Sequence, residues 1–451
     1  MMSQNTPLIL GTEKIGKLLL RYAIPAIVAM TASSLYNMVD SIFIGHGVGP
    51  LAIAGLAVTF PLMNLAAAFG SLVGVGASTL VAIKLGQKDK ESATHVLGNV
   101  IVLNIIIGAL FMVLMLIFLK PVLLFFGASP DTLPFAEDYM QIILAGNMVT
   151  HVYLGLNEVL RASGYPQKAM AATLMAVLVN CVLDALFIFV FGWGIRGAAY
   201  ATVFAQILAL SWELIHFINP KSFLHFQKGI FGLKRSIVGG MLAIGLSPFL
   251  MNLCACLVVI LINKSLKIHG GDMAIGAYGI VNRVVFLFIM IVMGFNQGMQ
   301  PIAGYNFGAR QFDRLIRVLK YTLICGVSVT TSGFLICQIF PRPIIYLFTV
   351  HEGLVEIASS GLRIVLAAFP LVGFQMVTSS FFQSIGMAKK AIFLSLTRQL
   401  LFLIPSLLIL PPFWGTTGVW ASMPVADVIA SVVTGCMLHW QLKRLRALDL
   451  R

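Results

Sequence analysis

The chain has 451 residues, of which 59% are hydrophobic and only 10% charged, against about 25% charge in soluble domains. So few polar residues cannot cover a water-exposed surface, which excludes a soluble multidomain protein. The net charge of +14 comes from basic residues scattered singly between apolar runs, with no basic stripe and interleaved aromatics, which excludes a nucleic-acid binder.

A membrane span needs about 20 apolar residues. Twelve are predicted, over 18–45, 51–83, 96–119, 133–158, 168–191, 197–218, 237–263, 273–304, 316–340, 353–384, 391–411 and 417–440. The first 17 residues are polar and lead into span 1 with no small-residue cleavage site, so span 1 reads as retained. The connections are short and rich in Gly, Pro and charge, as in Gly86-Gln87-Lys88-Asp89-Lys90. Lys and Arg divide 22 to 5 between the two sets of connections, with Lys14, Lys84, Arg161, Lys234, Arg314, Lys389, Lys443 and Arg451 on the rich side. That bias places both termini in the cytoplasm, and an even number of spans agrees. The six cysteines all lie inside apolar segments and read as small packing residues.

The chain aligns with itself at a shift of about 222 residues. Leu51-Ala52-Ile53-Ala54 falls on Met273-Ala274-Ile275-Gly276, Gly76 on Gly298 and Gly86 on Gly308. With a slip of one, Pro25 falls on Pro248 and Gly197 on Gly418. Six spans per half give both halves the same orientation, which makes them parallel repeats. The expected organisation is an N-terminal lobe over 1–218, a cytoplasmic linker over 219–236 and a C-terminal lobe over 237–451. Two-lobed repeats carrying buried acids are characteristically transporters.

The acids are Asp40 in span 1 and Asp184 in span 5; the matching positions of the second half are Ile262 and Ser406. A carboxylate inside a span is costly and therefore points to function. At about 1.5 Å per residue, Asp40 lies about 8 Å and Asp184 about 12 Å from the outer end of its span. Thr202 of span 6 and Tyr139 of span 4 reach the same level. Asn180 shares a face with Asp184, and Tyr36 and Asn37 share one with Asp40. Two acids close together in a low dielectric cannot both ionise cheaply, so the pair is expected to take up a proton in the physiological range. Na⁺ held by carboxylate, Asn and Thr oxygens is the alternative. Pro25 frees a backbone carbonyl on the cytoplasmic side of Asp40; it marks either a bend that responds to protonation or a static kink.

Other intramembrane polar residues are assigned as follows. Asp427 of span 12 and Arg398 of span 11 are expected to form a structural ion pair. Glu158 and Glu213 lie near the cytoplasmic ends of their spans and are expected to be solvated. Gln297, Gln300, Gln375 and Gln383 either line a cavity or bond helix to helix. Arg283 and Arg363 either line the cavity or snorkel.

With these residues in view, the sequence resembles the multidrug and toxic compound extrusion family over its whole length. The resemblance rests on Asn37-Met38-Val39-Asp40-Ser41-Ile42-Phe43-Ile44-Gly45, Gly74-Val75-Gly76-Ala77-Ser78, Arg161-Ala162-Ser163-Gly164, and Asn180 with Asp184. Gln300-Pro301-Ile302-Ala303-Gly304-Tyr305-Asn306-Phe307-Gly308-Ala309 is the strongest stretch. It implies an all-α polytopic membrane protein whose 12 helices form two parallel six-helix repeats in a V. It also implies export of amphipathic, often cationic drugs or metabolites in exchange for H⁺ or Na⁺. The family's cation site maps onto Asp40, Asn180, Asp184, Thr202 and Tyr139, and Tyr36, Asn37 and Asn157 match positions facing its drug cavity. Span 7 has no acid and span 10 only Glu356 near its outer end, so the chain looks closer to the DNA-damage-inducible bacterial branch, which uses the first lobe.

The expected protein is thus a transporter and not an enzyme, a multi-pass monomer in the cell (inner) membrane. It works on a small organic substrate with lipid around it, without a cofactor and without a metal beyond a coupling Na⁺. The alternative within transport is a flippase for a lipid-linked oligosaccharide, which Arg283 and Arg363 would suit. An intramembrane aspartyl protease is the alternative from another class, but no Gly-x-Gly-Asp pattern surrounds either acid.

Overall fold

The computed structural model describes residues 9–449; Arg451 and residues 1–8, which entered the topology and lobe assignments above, lie outside them. Eleven helices among the described residues are long and apolar enough to cross a membrane. They are Ile15–Gly47 (span 1), Pro50–Gly86 (span 2), Lys90–Ile117 (span 3), Pro166–Val190 (span 5), Gly194–Ile218 (span 6) and Arg235–Gly271 (span 7). Met273–Gly308, Phe312–Ile339, Glu352–Ser384, Ala388–Ile409 and Pro411–Leu448 follow as spans 8 to 12. The remaining expected span is two shorter helices, Leu133–Ala145 and Asn147–Ala162. Gly146 joins them, where a Cβ would come within 2.6 Å of Val203 on span 6. The protein is an all-helical, multi-pass membrane protein.

Local chemistry sets the helix ends. Pro50, Pro166 and Pro411 open their helices, where a missing N–H costs nothing. Asp89 caps span 3 by accepting from the Ser92 amide at 3.0 Å. Gly271 turns the chain from span 7 into span 8 with φ +66°. Two spans carry a wider π turn, Leu186–Val190 just after Asp184 and Thr397–Leu403 around Arg398. Such turns recur at functional positions because they re-aim neighbouring side chains.

Packing divides the chain into two compact units. One holds Val28–Phe249 with the N-terminal stretch up to Glu13; the other holds Lys14–Ile27 and the chain from Leu250 onward. The packing boundaries therefore fall inside spans 1 and 7, not in the 219–236 connection. In the first unit, the opening of span 7 lies directly on span 2. A Cβ on Gly76 would sit 1.9 Å from the Met241 carbonyl oxygen, and one on Gly245 1.6 Å from that of Leu72. In the second unit, the opening of span 1 lies on span 8 in the same way, with Gly298 against Ala23 and Gly294 against Ile27. Gly76 and Gly298 are a matched pair of the internal repeat. Small residues let helix backbones meet this closely.

Each unit has its own apolar core, Leu62, Met140, Leu144 and Ile188 belonging to the first and Val281, Leu362, Phe369 and Trp420 to the second. The 219–236 connection docks onto span 3. Asn99 donates to the carbonyls of Ile230 and Gly232 at 3.1 and 3.0 Å and accepts from the Lys234 amide at 3.0 Å.

Candidate functional site

The first unit brings together residues from spans 1, 4, 5 and 6. Tyr36 and Asp40 stand one helical turn apart on span 1, and Asn180 and Asp184 one turn apart on span 5. Tyr36 and Thr202 share a hydrogen bond of 3.0 Å between their hydroxyls. The Asn180 amide satisfies both of its ends in one orientation. Its nitrogen then donates to Asp184 Oδ2 at 2.9 Å and to the Tyr36 hydroxyl at 3.3 Å, while its oxygen accepts from the Thr202 amide at 2.8 Å. Tyr139, fully buried on span 4, lies close to Thr202 and to both acids.

The Asp40 and Asp184 side chains lie within hydrogen-bonding reach of each other. Asp40 is 5% exposed and Asp184 fully buried, and Oδ1 of each has no hydrogen-bond partner. Two carboxyls this close in a buried site repel when both are charged, so their proximity suits a pair that shares one proton. The same oxygens, with those of Asn180 and Thr202, are also of the kind that ligates a small hard cation.

The expected residues do not all meet. Asp40, Asn180, Asp184, Thr202 and Tyr139 do, with Tyr36. Asn37 is exposed, and its carbonyl accepts from Ser41. Asn157 lies elsewhere in the unit, donating to Glu213 Oε1 at 2.8 Å and to the Ala169 carbonyl at 3.0 Å, and accepting from Arg161 at 2.9 Å. Pro25 is buried within the part of span 1 that packs in the second unit.

Glu213 corrects an expectation. It is fully buried rather than solvated, because spans 4 and 5 close over span 6 well past the point where its sequence turns polar. Glu158 is also largely covered and lies 3.6 Å from Arg161. The available signal was spacing, since Thr202, Gln206 and Glu213 fall on one stripe of span 6.

In the second unit Arg398 Nε bonds Asp427 Oδ1, the ion pair expected from their depths. Gln375 bonds helix to helix, donating to the Asp427 carbonyl at 2.7 Å and to Ser431 at 2.6 Å. Arg283 and Arg363 are exposed.

Repeated helical units with an acid pair buried in one of them are the pattern of a membrane transporter. The family model described as MatE matches residues 25–186 and again 243–408, two segments whose ends have the same spacing as the internal repeat. The chain belongs to that family. It is 26% identical to the multidrug export protein MepA of Staphylococcus aureus, over 94% of this chain and 93% of that protein. A solved MOP superfamily transporter from Pyrococcus furiosus shares 25% identity with a TM-score of 0.92, over 99% of this chain and 100% of that one. The crystal structure of MATE in the straight conformation shares 26% identity with a TM-score of 0.91, over the full length of both.

Proposed function

We propose that this protein is a cation-coupled antiporter exporting amphipathic, often cationic organic compounds from the cytoplasm by alternating access. The observation that carries the reading is the buried contact of Asp40 with Asp184, braced by Tyr36, Asn180 and Thr202. A carboxyl–carboxyl contact favours H⁺ over Na⁺ as the coupling ion. The family relatives named for multidrug export support the substrate class. The Lys and Arg bias supports a cell-membrane topology with both termini in the cytoplasm.

In this mechanism the pair takes up a proton from the outer side and gives it up on the inner side. Asp40 shares a helix with Pro25, and that helix serves both packing units, changing over between Ile27 and Val28. A charge change at Asp40 thus acts on an element common to both. The test is efflux of a fluorescent organic cation from bacterial cells lacking their own pumps, comparing the parent with Asp184→Asn at matched expression. Export that the substitution abolishes is expected; export unaffected by it sinks the role of Asp184.

A further inference from the structure

Below the acid pair, the first unit holds a second buried carboxyl. Glu213 is fully buried, its Oε1 accepts from Asn157 at 2.8 Å, and its Oε2 has no hydrogen-bond partner. A buried acid with an open oxygen is costly to keep. It lies 11 residues along span 6 from Thr202, three helical turns or about 16 Å toward the end bearing the basic connections.

The interval is lined by polar side chains on three helices. On span 6, Thr202, Gln206 and Glu213 share a stripe. On span 5, Asp184, Asn180 and Thr173 repeat its four- and seven-residue steps in the opposite chain direction, and on the second helix of span 4 Thr150 and Asn157 stand seven residues apart. Cross-contacts join the stripes. Thr150 donates to Gln206, and Tyr153 donates to Thr173 at 3.3 Å. Polar side chains from three neighbouring helices thus make a polar file between the acid pair and Glu213, and polar walls of this kind hold water.

We propose that Glu213 is a second proton-binding carboxyl, which accepts the proton leaving the Asp40–Asp184 pair and passes it to the cytoplasmic water. The proposal rests on the H⁺ reading of that pair. The proton leaves one carboxyl of the pair, crosses the file through hydroxyls and water, and neutralises the Glu213 carboxylate. Release restores the carboxylate. The groups facing Glu213 fit that duty. From span 4 come Tyr153, Asn157, Glu158 and Arg161; Arg161 attracts the charged form and Glu158 opposes it. Toward the basic end stand His216 of span 6 and Lys168 of span 5, 3.0 Å apart. The Lys168 ammonium, donating to the His216 ring, places there a positive charge that favours return of Glu213 to its charged form. Thr173 of span 5 lies on the file side through Tyr153.

The test is infrared difference spectroscopy of the full-length protein in lipid bilayers on lowering the pH, reading carboxylate loss and gain of the protonated-carboxyl stretch. It is paired with proton flux into liposomes under an imposed pH gradient. Asp184→Asn is expected to remove one set of bands and abolish flux. Glu213→Gln should remove a separate band and slow flux about 100-fold, in the range of a lost acid–base group. Glu213→Asp should keep a shifted band. Asn157→Ala, which leaves the acid in place, should move the Glu213 band without removing it, and decides the matter if Glu213→Gln does not fold. Unchanged bands and flux in Glu213→Gln, with Asp184→Asn behaving as expected, overturn the role of Glu213 alone. Unchanged bands and flux in Asp184→Asn overturn the H⁺ reading of the pair, and the relay with it.

Discussion

The hydroxyls of Tyr36 and Thr202 stand 3.0 Å apart, tying span 1 to span 6 at the level of the acid pair. Thr202 also meets Asn180 through both its amide and its hydroxyl. It therefore joins spans 1, 5 and 6 beside the acids. Thr202→Val, which keeps the shape and removes the hydroxyl, should cost about 1.4 kcal/mol in ion binding, or roughly tenfold in the ion concentration for half-maximal export. Tyr36→Phe should cost roughly fivefold, because Thr202 keeps its bond to the Ala198 carbonyl. Titration of export against pH and against Na⁺ measures both.

Asp40 and Asp184 form one site, so their substitutions should not add. Asp40→Asn and Asp184→Asn should each abolish coupled export, and the double variant should be no worse than either. A double variant whose loss equals the sum of two partial single losses would show two independent sites. Matched-expression efflux assays separate the cases.

Gly76 meets the Met241 carbonyl where no side chain fits. Gly76→Ala should destabilise the protein by about 3 kcal/mol, at the upper end for overpacking, since the obstacle is backbone. Gly239→Ala is the control. Nothing lies within 4 Å of its Cβ position, so it should be neutral or stabilising by about 0.5–1 kcal/mol. Thermal unfolding in detergent reads both.

Arg398 and Asp427 differ in solvent access, with side chains 33% and 3% exposed. Arg398→Met leaves a buried carboxylate without its ion partner and should cost about 3–5 kcal/mol. Asp427→Asn leaves a cation that is only partly enclosed by protein and should cost less. Replacing both with apolar residues should recover part of the loss. Melting temperatures of the three variants check the order.

Asp89 lies between spans 2 and 3. Hydrogen bonds from Ser92, helped by Lys84 at 3.2 Å, hold its carboxyl below the usual aspartate range. A lowered folded-state value contributes stability above the unfolded value of about 4 and loses it as pH falls through the folded value. Asp89→Ala should cost about 1 kcal/mol at neutral pH, the ordinary worth of a cap at a part-exposed position. The difference from the parent should vanish in acid, as paired melting curves would read.

Asp40 and Asp184 were legible because a carboxylate interrupting an apolar run stands out without any structure. Counting residues from the span ends also brought Tyr139 and Thr202 to the right depth. Glu213 was misread by the same arithmetic. Distance from a helix end measures depth along one helix, whereas burial depends on how far its neighbours extend beside it. Asn157 was assigned from resemblance; its bond to Arg161, one turn along the same helix, was open to spacing, but its bond to Glu213 was not, because that residue of span 6 lies 56 residues on in sequence. The break at Gly146 was hidden too, since apolar residues continue on both sides of it.

The trading of opening segments between the units bears on ancestry. A single-copy forebear with the same contacts would have left its first half-helix unsatisfied unless a second copy supplied one in return. Exchange of arms between two identical copies would satisfy both, and duplication with tandem fusion of that one gene would yield a chain with the packing seen here. Fusion also freed the copies to diverge, which is how one could keep two acids where the other holds Ile262 and Ser406.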